Sequence, residues 1–148
     1  VDVVEKENVV DLLKEKGVAV NTLREDETKI NEVVIKEKIS YKDMLKNNYL
    51  GCLTVIYDAQ KLGKRYFKQR DKNEDYVLWL EIVKEVKVIY GLKENLAFYR
   101  VLDNSRSSNK FKTAKVRWEI YRNEEKLSFF SAIYYFIHYA FFALKKSK

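Results

Sequence analysis

The spacing of apolar positions along this chain changes several times, and each change marks an element. From Val1 to Lys16 the apolar residues Val3, Val4, Val9, Val10, Leu12 and Leu13 are interleaved with charges at helical spacing, and Gly17 suits the position just past a helix end. The short run Val18-Ala19-Val20 predicts a strand, Arg24 to Glu27 a charged turn, and Ile30 to Ile35 a second strand pairing back on the first. Ser40-Tyr41-Lys42-Asp43 has the spacing of a capping box with Asp in place of Glu, so a short helix starts there and runs to Lys46, ended by Asn47-Asn48. Gly51 to Tyr57 is continuous and partly β-branched, the pattern of a central strand covered on both faces. Asp58 to Leu62 reads as a turn of helix broken by Gly63, and Lys64 to Lys72 as a polar loop.

The next stretch, Asn73 to Val83, organises the rest. Asn73 is placed as an N-cap, Glu74 and Asp75 fall in the first turn where the macrodipole favours negative charge, and Leu78, Ile82 and Val83 form a buried stripe. Trp79 lies one turn after Asp75 on the same side. Val86 to Tyr90 and Leu96 to Leu102 read as strands flanking a turn at Gly91-Leu92-Lys93, and Asp103 to Asn109 is the most polar loop. A basic helix follows from about Lys110 to Lys126. Leu127 to Leu144 is then dense in Phe, Tyr and Ile, is interrupted by Ser128, Ser131 and His138, and is flanked by Lys126, Lys145, Lys146 and Lys148. That length is borderline for spanning a bilayer, and the Tyr content fits a helix lying in the membrane interface with Lys anchors. Docking on this protein's own core, or on a missing part, is the alternative.

Composition narrows the class. With 148 residues, 47% hydrophobic and 14% aromatic, the chain is one domain or part of one with ample core. The single Cys52, within an apolar run, argues a reduced interior without disulfides, and a lone His138 with one Cys leaves no Cys/His zinc site. The net charge of +7 belongs to the C-terminal end, where from Arg100 onward eleven Lys and Arg face four acidic residues. Such a tail suits an anionic partner, nucleic acid or anionic lipid. No secretory signal opens the chain, and a charged helical start without Met reads as cut.

Gly51-Cys52-Leu53-Thr54-Val55-Ile56-Tyr57-Asp58, Leu62-Gly63-Lys64-Arg65-Tyr66-Phe67, Glu74-Asp75-Tyr76-Val77-Leu78-Trp79-Leu80, and Tyr99-Arg100-Val101 through Ser105-Arg106-Ser107-Ser108 together resemble the C-terminal, acceptor-binding half of a bacterial family 2 glycosyltransferase. The resemblance implies an α/β fold, a partial GT-A mixed sheet (Rossmann-like) with flanking helices. It divides the chain into residues 1–108, belonging to that transferase domain, and residues 109–148, the basic helix plus the aromatic helix. It implies an inverting enzyme in which Asp75 is the general base, taking the proton of an acceptor hydroxyl as that oxygen attacks the anomeric carbon of a nucleotide-sugar. Glu74 would orient the acceptor or a neighbouring loop, and Trp79 would pack beneath or line the acceptor pocket. Tyr99 and Arg100 would reach the diphosphate or the acceptor, and Ser105, Ser107 and Ser108 would form a mobile loop over the site.

This chain departs from the family in one large respect. The nucleotide-binding strands and the acidic motif whose divalent ion, Mg or Mn, neutralises the leaving diphosphate have no counterpart here. The expectation is therefore that the donor half lies upstream, that this chain binds no metal, and that alone it does not turn over. The missing Gln-x-x-Arg-Trp motif of processive synthases points to transfer of a single sugar. The expected partners are a nucleotide-sugar donor, a glycan or lipid-linked acceptor and an anionic membrane surface, at the cytoplasmic face of the cell membrane in bacterial surface polysaccharide synthesis. The alternatives from the residues alone are an inactive remnant, or a non-catalytic basic module using Lys110, Lys112, Lys115, Arg117 and Arg122 on membrane or nucleic acid.

Overall fold

A computed structural model describes residues 18–25, 31–32, 35–52, 54–70, 72–99 and 110–146. The expected first helix, Val1 to Lys16, lies outside the described residues, as do Asp103 to Asn109. Among the described residues are five strands in one mixed sheet: β1 (Val18–Glu25), β2 (Asn31–Glu32), β3 (Lys38–Ser40), β4 (Val55–Tyr57) and β5 (Val88–Tyr99). Five α-helices accompany them: α1 (Tyr41–Lys46), α2 (Ala59–Leu62), α3 (Glu74–Val86), α4 (Lys110–Glu119) and α5 (Phe129–Lys146). A π-helical turn, Ile120–Glu124, extends α4.

Strand β5 lies at the centre, parallel to β1 on one side and antiparallel to β3 on the other. The free side of β1 is shared by β2, antiparallel through Arg24–Glu32 and Glu25–Asn31, and by β4, antiparallel through Val18–Tyr57. The apolar run 51–57 is thus not a central strand. Among its described residues only the last three are extended, they pair with β1 alone, and Ile56 is exposed. The cause is local: the backbone N–H and the hydroxyl of Thr54 both donate to the Gly51 carbonyl, at 3.0 and 3.1 Å, which closes a turn and spends on it groups that a ladder would need. Cys52 sits at that turn, exposed rather than interior.

The expected turn at Gly91 is also absent, because β5 runs straight through it for 12 residues. Gly91 answers a different need. Its N–H donates to the Glu37 carbonyl at 3.0 Å, and a Cβ there would lie 2.3 Å from the Lys36 carbonyl oxygen, so only glycine lets the two backbones approach. The polar residues Lys93 and Glu94, which looked like turn material, fall where the β1 register jumps from Asn21–Leu92 to Thr22–Asn95, an irregularity of bulge type.

Helix α1 forms as its sequence predicts. Ser40 and Asp43 make both halves of the capping box, and Met44 and Leu45 face inward. Helix α2 has Asp58 as N-cap, accepting from the N–H groups of Gln60 and Lys61, and ends at Gly63 with φ of 71°. Helix α3 is enclosed nearly all round: Tyr76, Val77, Leu78, Trp79, Leu80, Ile82 and Val83 are all buried, a wider face than the predicted stripe. Ile39, Met44, Leu45, Leu50, Ile89, Ile120, Tyr121 and Ala132 complete the core, so α4, its π turn and α5 share one apolar interior with the sheet and α3.

Candidate functional site

The acidic pair stands where the core helix meets the surface. Asn73 does occupy the N-cap position of α3, but in the left-handed conformation (φ 58°), and its side chain makes no cap hydrogen bond; its Nδ2 is buried without a partner. Its carbonyl accepts from the Val77 N–H at 3.2 Å. The capping work passes to Asp75, whose Oδ1 accepts from the Tyr76 N–H at 2.7 Å. Glu74 and Asp75 are both half-buried, while every residue from Tyr76 to Leu80 is buried. This pair therefore has a firm backbone behind it and is itself partly accessible.

Two neighbours complete the rim. The Cys52 thiol lies against Asp75: burial first, then the adjacent Asp75 carboxylate and, more weakly, Glu74, push its pKa up to about 11, so it is a neutral donor beside that carboxylate. Trp79 is 5% exposed, with Phe67 set edge-on to it at 6.4 Å between ring centres. Its indole nitrogen is buried without a partner. Phe67 and its neighbour Tyr66 are themselves exposed, 53% and 79%.

The loop that presents those rings is tied down on both sides. Arg65 donates from its backbone N–H to the Tyr57 hydroxyl at 3.1 Å and reaches Glu85 of α3 at 2.5 Å. Lys68 pairs with Glu81 of α3 at 2.7 Å, and Arg70 with Glu124 of the π turn at 2.6 Å. Tyr66 and Phe67 stand within the quoted motif, but sequence reasoning gave them no role. A pair of exposed rings in a Gly-led polar loop is the available signal, and only the seating of Phe67 against Trp79 makes it informative.

Behind the rim lies a buried polar cluster. Tyr76 donates to the Met44 carbonyl at 2.9 Å and Tyr121 to the Leu45 carbonyl. Arg117 is only 4% exposed, stacked 3.4 Å over the Tyr76 ring and 4.8 Å from that of Tyr139. It is therefore no part of a solvent-facing basic patch, which removes it from the alternative of a basic binding module. Glu125, its side chain 3% accessible, accepts from Lys84 at 3.0 Å and from the Tyr41 hydroxyl. Burial, then that hydrogen bond to Glu125, raises the Tyr41 phenol far above its ordinary value.

Of the remaining predicted site residues, Arg100, Ser105, Ser107 and Ser108 lie outside the described residues, and Tyr99 is described only as the last residue of β5. Among the described residues no three His, Cys, Asp or Glu side chains gather where a metal ion could sit.

Comparison with known proteins gives the chemistry a class. The chain is 42% identical over 110 residues to TuaG of Bacillus subtilis (strain 168), whose name assigns it as a glycosyltransferase of teichuronic acid biosynthesis, covering 74% of this chain and 44% of that protein. It is 37% identical over 123 residues to WfgD of Escherichia coli, a UDP-Glc:α-D-GlcNAc-diphosphoundecaprenol β-1,3-glucosyltransferase, covering 79% of this chain and 46% of that protein. An uncharacterized glycosyltransferase of Haemophilus influenzae is 36% identical over 121 residues, with 80% and 48% covered. The chain spans a little under half the length of these curated relatives. No family model and no solved structure matches it.

Proposed function

We propose that this chain is the acceptor-side part of an inverting family 2 glycosyltransferase of GT-A fold, moving a sugar from a nucleotide-sugar to a lipid-linked glycan acceptor. The observation that carries it is the similarity to glycosyltransferases over about three quarters of the chain, in a molecule whose half-buried acidic pair stands at the head of its most enclosed helix.

In this reading the acceptor hydroxyl oxygen attacks the anomeric carbon of the donor. The bond from that carbon to the diphosphate oxygen breaks, the nucleoside diphosphate departs with the bonding pair, and Asp75 takes the hydroxyl proton. Single displacement inverts the anomeric centre. Asp75 Oδ1 receives a backbone N–H, which orients the carboxylate. The Cys52 thiol, held neutral, steadies the carboxylate without competing for the proton. Glu74 orients the acceptor, Tyr66 and Phe67 offer ring faces to its sugar, and Trp79 supports Phe67 edge to face. Tyr99 and Arg100 are assigned to the diphosphate or the acceptor, and Ser105 and Ser107 to a loop over the site.

The division of labour follows: residues 1–108 supply part of the transferase domain and residues 109–148 the basic and aromatic helices, with the donor half and its divalent ion contributed upstream. The enzyme works at the inner face of the cell membrane in surface polysaccharide synthesis. No helix among the described residues is long and apolar enough to cross a membrane, and α5 instead offers an exposed apolar stripe to its surface.

The test joins the chain to an upstream half from a relative and measures transfer from a radiolabelled UDP-sugar to a polyprenyl diphosphate-linked sugar. Asp75→Asn is expected to lower kcat by about a hundredfold to ten-thousandfold with donor affinity unchanged. Turnover retained in that variant would sink the base assignment.

A further inference from the structure

Between the 64–72 loop and α4 lies a cleft of about 390 Å³, lined by Arg70, Lys72, Lys112, Lys115, Val116 and Glu119. We propose that it binds a diphosphate, that of the acceptor's lipid carrier; the choice of carrier rests on the transferase reading above, whereas the diphosphate chemistry does not.

The lining is four cations to one carboxylate, drawn from two elements. Positions 112, 115, 116 and 119 fall on one face of α4, so the helix turns its cationic side toward a loop that brings two more cations against it. Four cations against one lining carboxylate, converging from a loop and a helix, give the concavity a positive field that a polyanion complements. The volume is in the range of small-molecule sites, roughly 300–1,000 Å³, and leaves room for a diphosphate with part of its flanking groups. Arg70 is held in advance: its Nη1 is fixed by Glu124 at 2.6 Å, and a guanidinium has further N–H donors suited to phosphate oxygens.

Order along the loop favours the acceptor as the source. The exposed rings of Tyr66 and Phe67 come first, Phe67 beside Trp79 of the helix that Asp75 heads, and Arg70 and Lys72 follow within six residues, a reach of about 20 Å at most. A sugar with its anomeric diphosphate has that same order of parts, ring then dianion. The remaining part, a polyprenyl tail, also has a place to go. Trp118 of α4 meets Phe129 and Phe136 of α5 edge to face, at 6.1 and 5.6 Å, so the cleft helix is locked to the helix with the exposed apolar stripe.

The test is binding to the chain by calorimetry, with three probes: inorganic pyrophosphate, UDP-glucose, and a short-chain polyprenyl diphosphate-GlcNAc in detergent. The expected result is that pyrophosphate binds, that the polyprenyl compound binds more tightly than UDP-glucose, and that Lys112→Gln with Lys115→Gln weakens both diphosphate and polyprenyl binding by about tenfold or more. Both lysines are exposed, and circular dichroism checks that the variant is folded; the Lys112→Arg, Lys115→Arg chain should retain binding. Absence of pyrophosphate binding, or binding indifferent to the glutamine changes, overturns the site. If UDP-glucose binds more tightly and is lost in the same variant, the acceptor assignment is overturned in favour of the donor. Pyrophosphate bound in the cleft by a chain whose joined form transfers no sugar would leave the site standing and remove the transferase reading.

Discussion

At the scale of residues, the contact between Cys52 and Asp75 is the most accessible handle on the rim. Cys52 is exposed, yet burial of its sulfur and the adjoining carboxylate push its pKa from 9.0 to about 11. Its thiolate fraction at pH 8 is lowered accordingly, and, after allowance for the greater nucleophilicity of a more basic thiolate, alkylation by iodoacetamide should run about tenfold slower than in an unstructured peptide. Asp75→Asn removes the charge but not the burial, so it should restore part of the rate; a rate unaffected by that change would mean the two side chains are not neighbours. A second pair sets pH dependence. Burial works against the Asp43 carboxylate, but hydrogen bonds from Lys36 and Ser40 more than offset it and hold its pKa below the usual range, while the same bond raises that of Lys36. The depressed Asp43 contributes stability that is present above its unfolded value of about 3.8 and lost as pH falls through the folded one. The raised Lys36 contributes below about 10.5 and loses its share as pH rises through its folded value. Since Lys36 is half exposed, solvent screening keeps the pair's contribution small. Thermal unfolding followed from pH 7 to pH 3 should accordingly show a shallower acid limb in Asp43→Asn than in the parent chain.

At the scale of elements, the legible parts were those whose signals are local. The capping box at Ser40 and Asp43, the Asp58 cap with Gly63 at the far end, and the periodic core stripe of α3 each depend on residues within a turn or two of one another. Illegible parts depended on partners distant in sequence. Gly91 looked like turn chemistry, but its smallness serves a backbone that arrives from Lys36, more than fifty residues earlier. In the same way the run from Gly51 carried the composition of a buried strand, and a single threonine hydroxyl bonding back to Gly51 diverted half of it into a turn. The candidate site divides likewise: the acidic pair at a helix start is local and was readable, whereas Tyr66, Phe67 and the four-cation cleft come together only through the packing of a loop on two helices. Gly91→Ala tests the distinction. A methyl 2.3 Å from the Lys36 carbonyl oxygen meets backbone, which cannot swing aside as the end of a flexible side chain would, so the substitution should cost about 2–3 kcal/mol in denaturant unfolding. A turn glycine with no close neighbour would show much less, and a loss under about 0.5 kcal/mol would return Gly91 to the role its sequence suggested.

At the scale of the whole molecule, the question is what covers α5. One face of this helix is spoken for, since Ala132 is fully buried and Tyr135, Phe136 and Tyr139 pack inward or over Arg117. The opposite face carries Phe130, Tyr134, Ile137, Phe141 and Leu144, all at least half exposed and spaced four, three, four and three residues apart, which is one continuous stripe. Lys126 precedes the helix and Lys145 stands near its end, both exposed. Apolar side chains on one line with cations at the ends match the two layers of an anionic membrane surface, acyl boundary and headgroup, and they match neither a nucleic acid nor a charged protein groove. Each large side chain transferred from water contributes on the order of 1–2 kcal/mol, so a carboxylate in the middle of the stripe should be decisive where one at its edge is not. Ile137→Asp is therefore expected to reduce sedimentation with phosphatidylglycerol vesicles by about tenfold or more at unchanged thermal stability, with neutral phosphatidylcholine vesicles binding the parent chain more weakly. Should the parent chain ignore both kinds of vesicle but form a dimer that Ile137→Asp dissociates, the stripe belongs to a second copy. If it stays monomeric and vesicle-free until an upstream half is joined to it, the stripe is the seat of that half, and the acceptor must be met by some other surface.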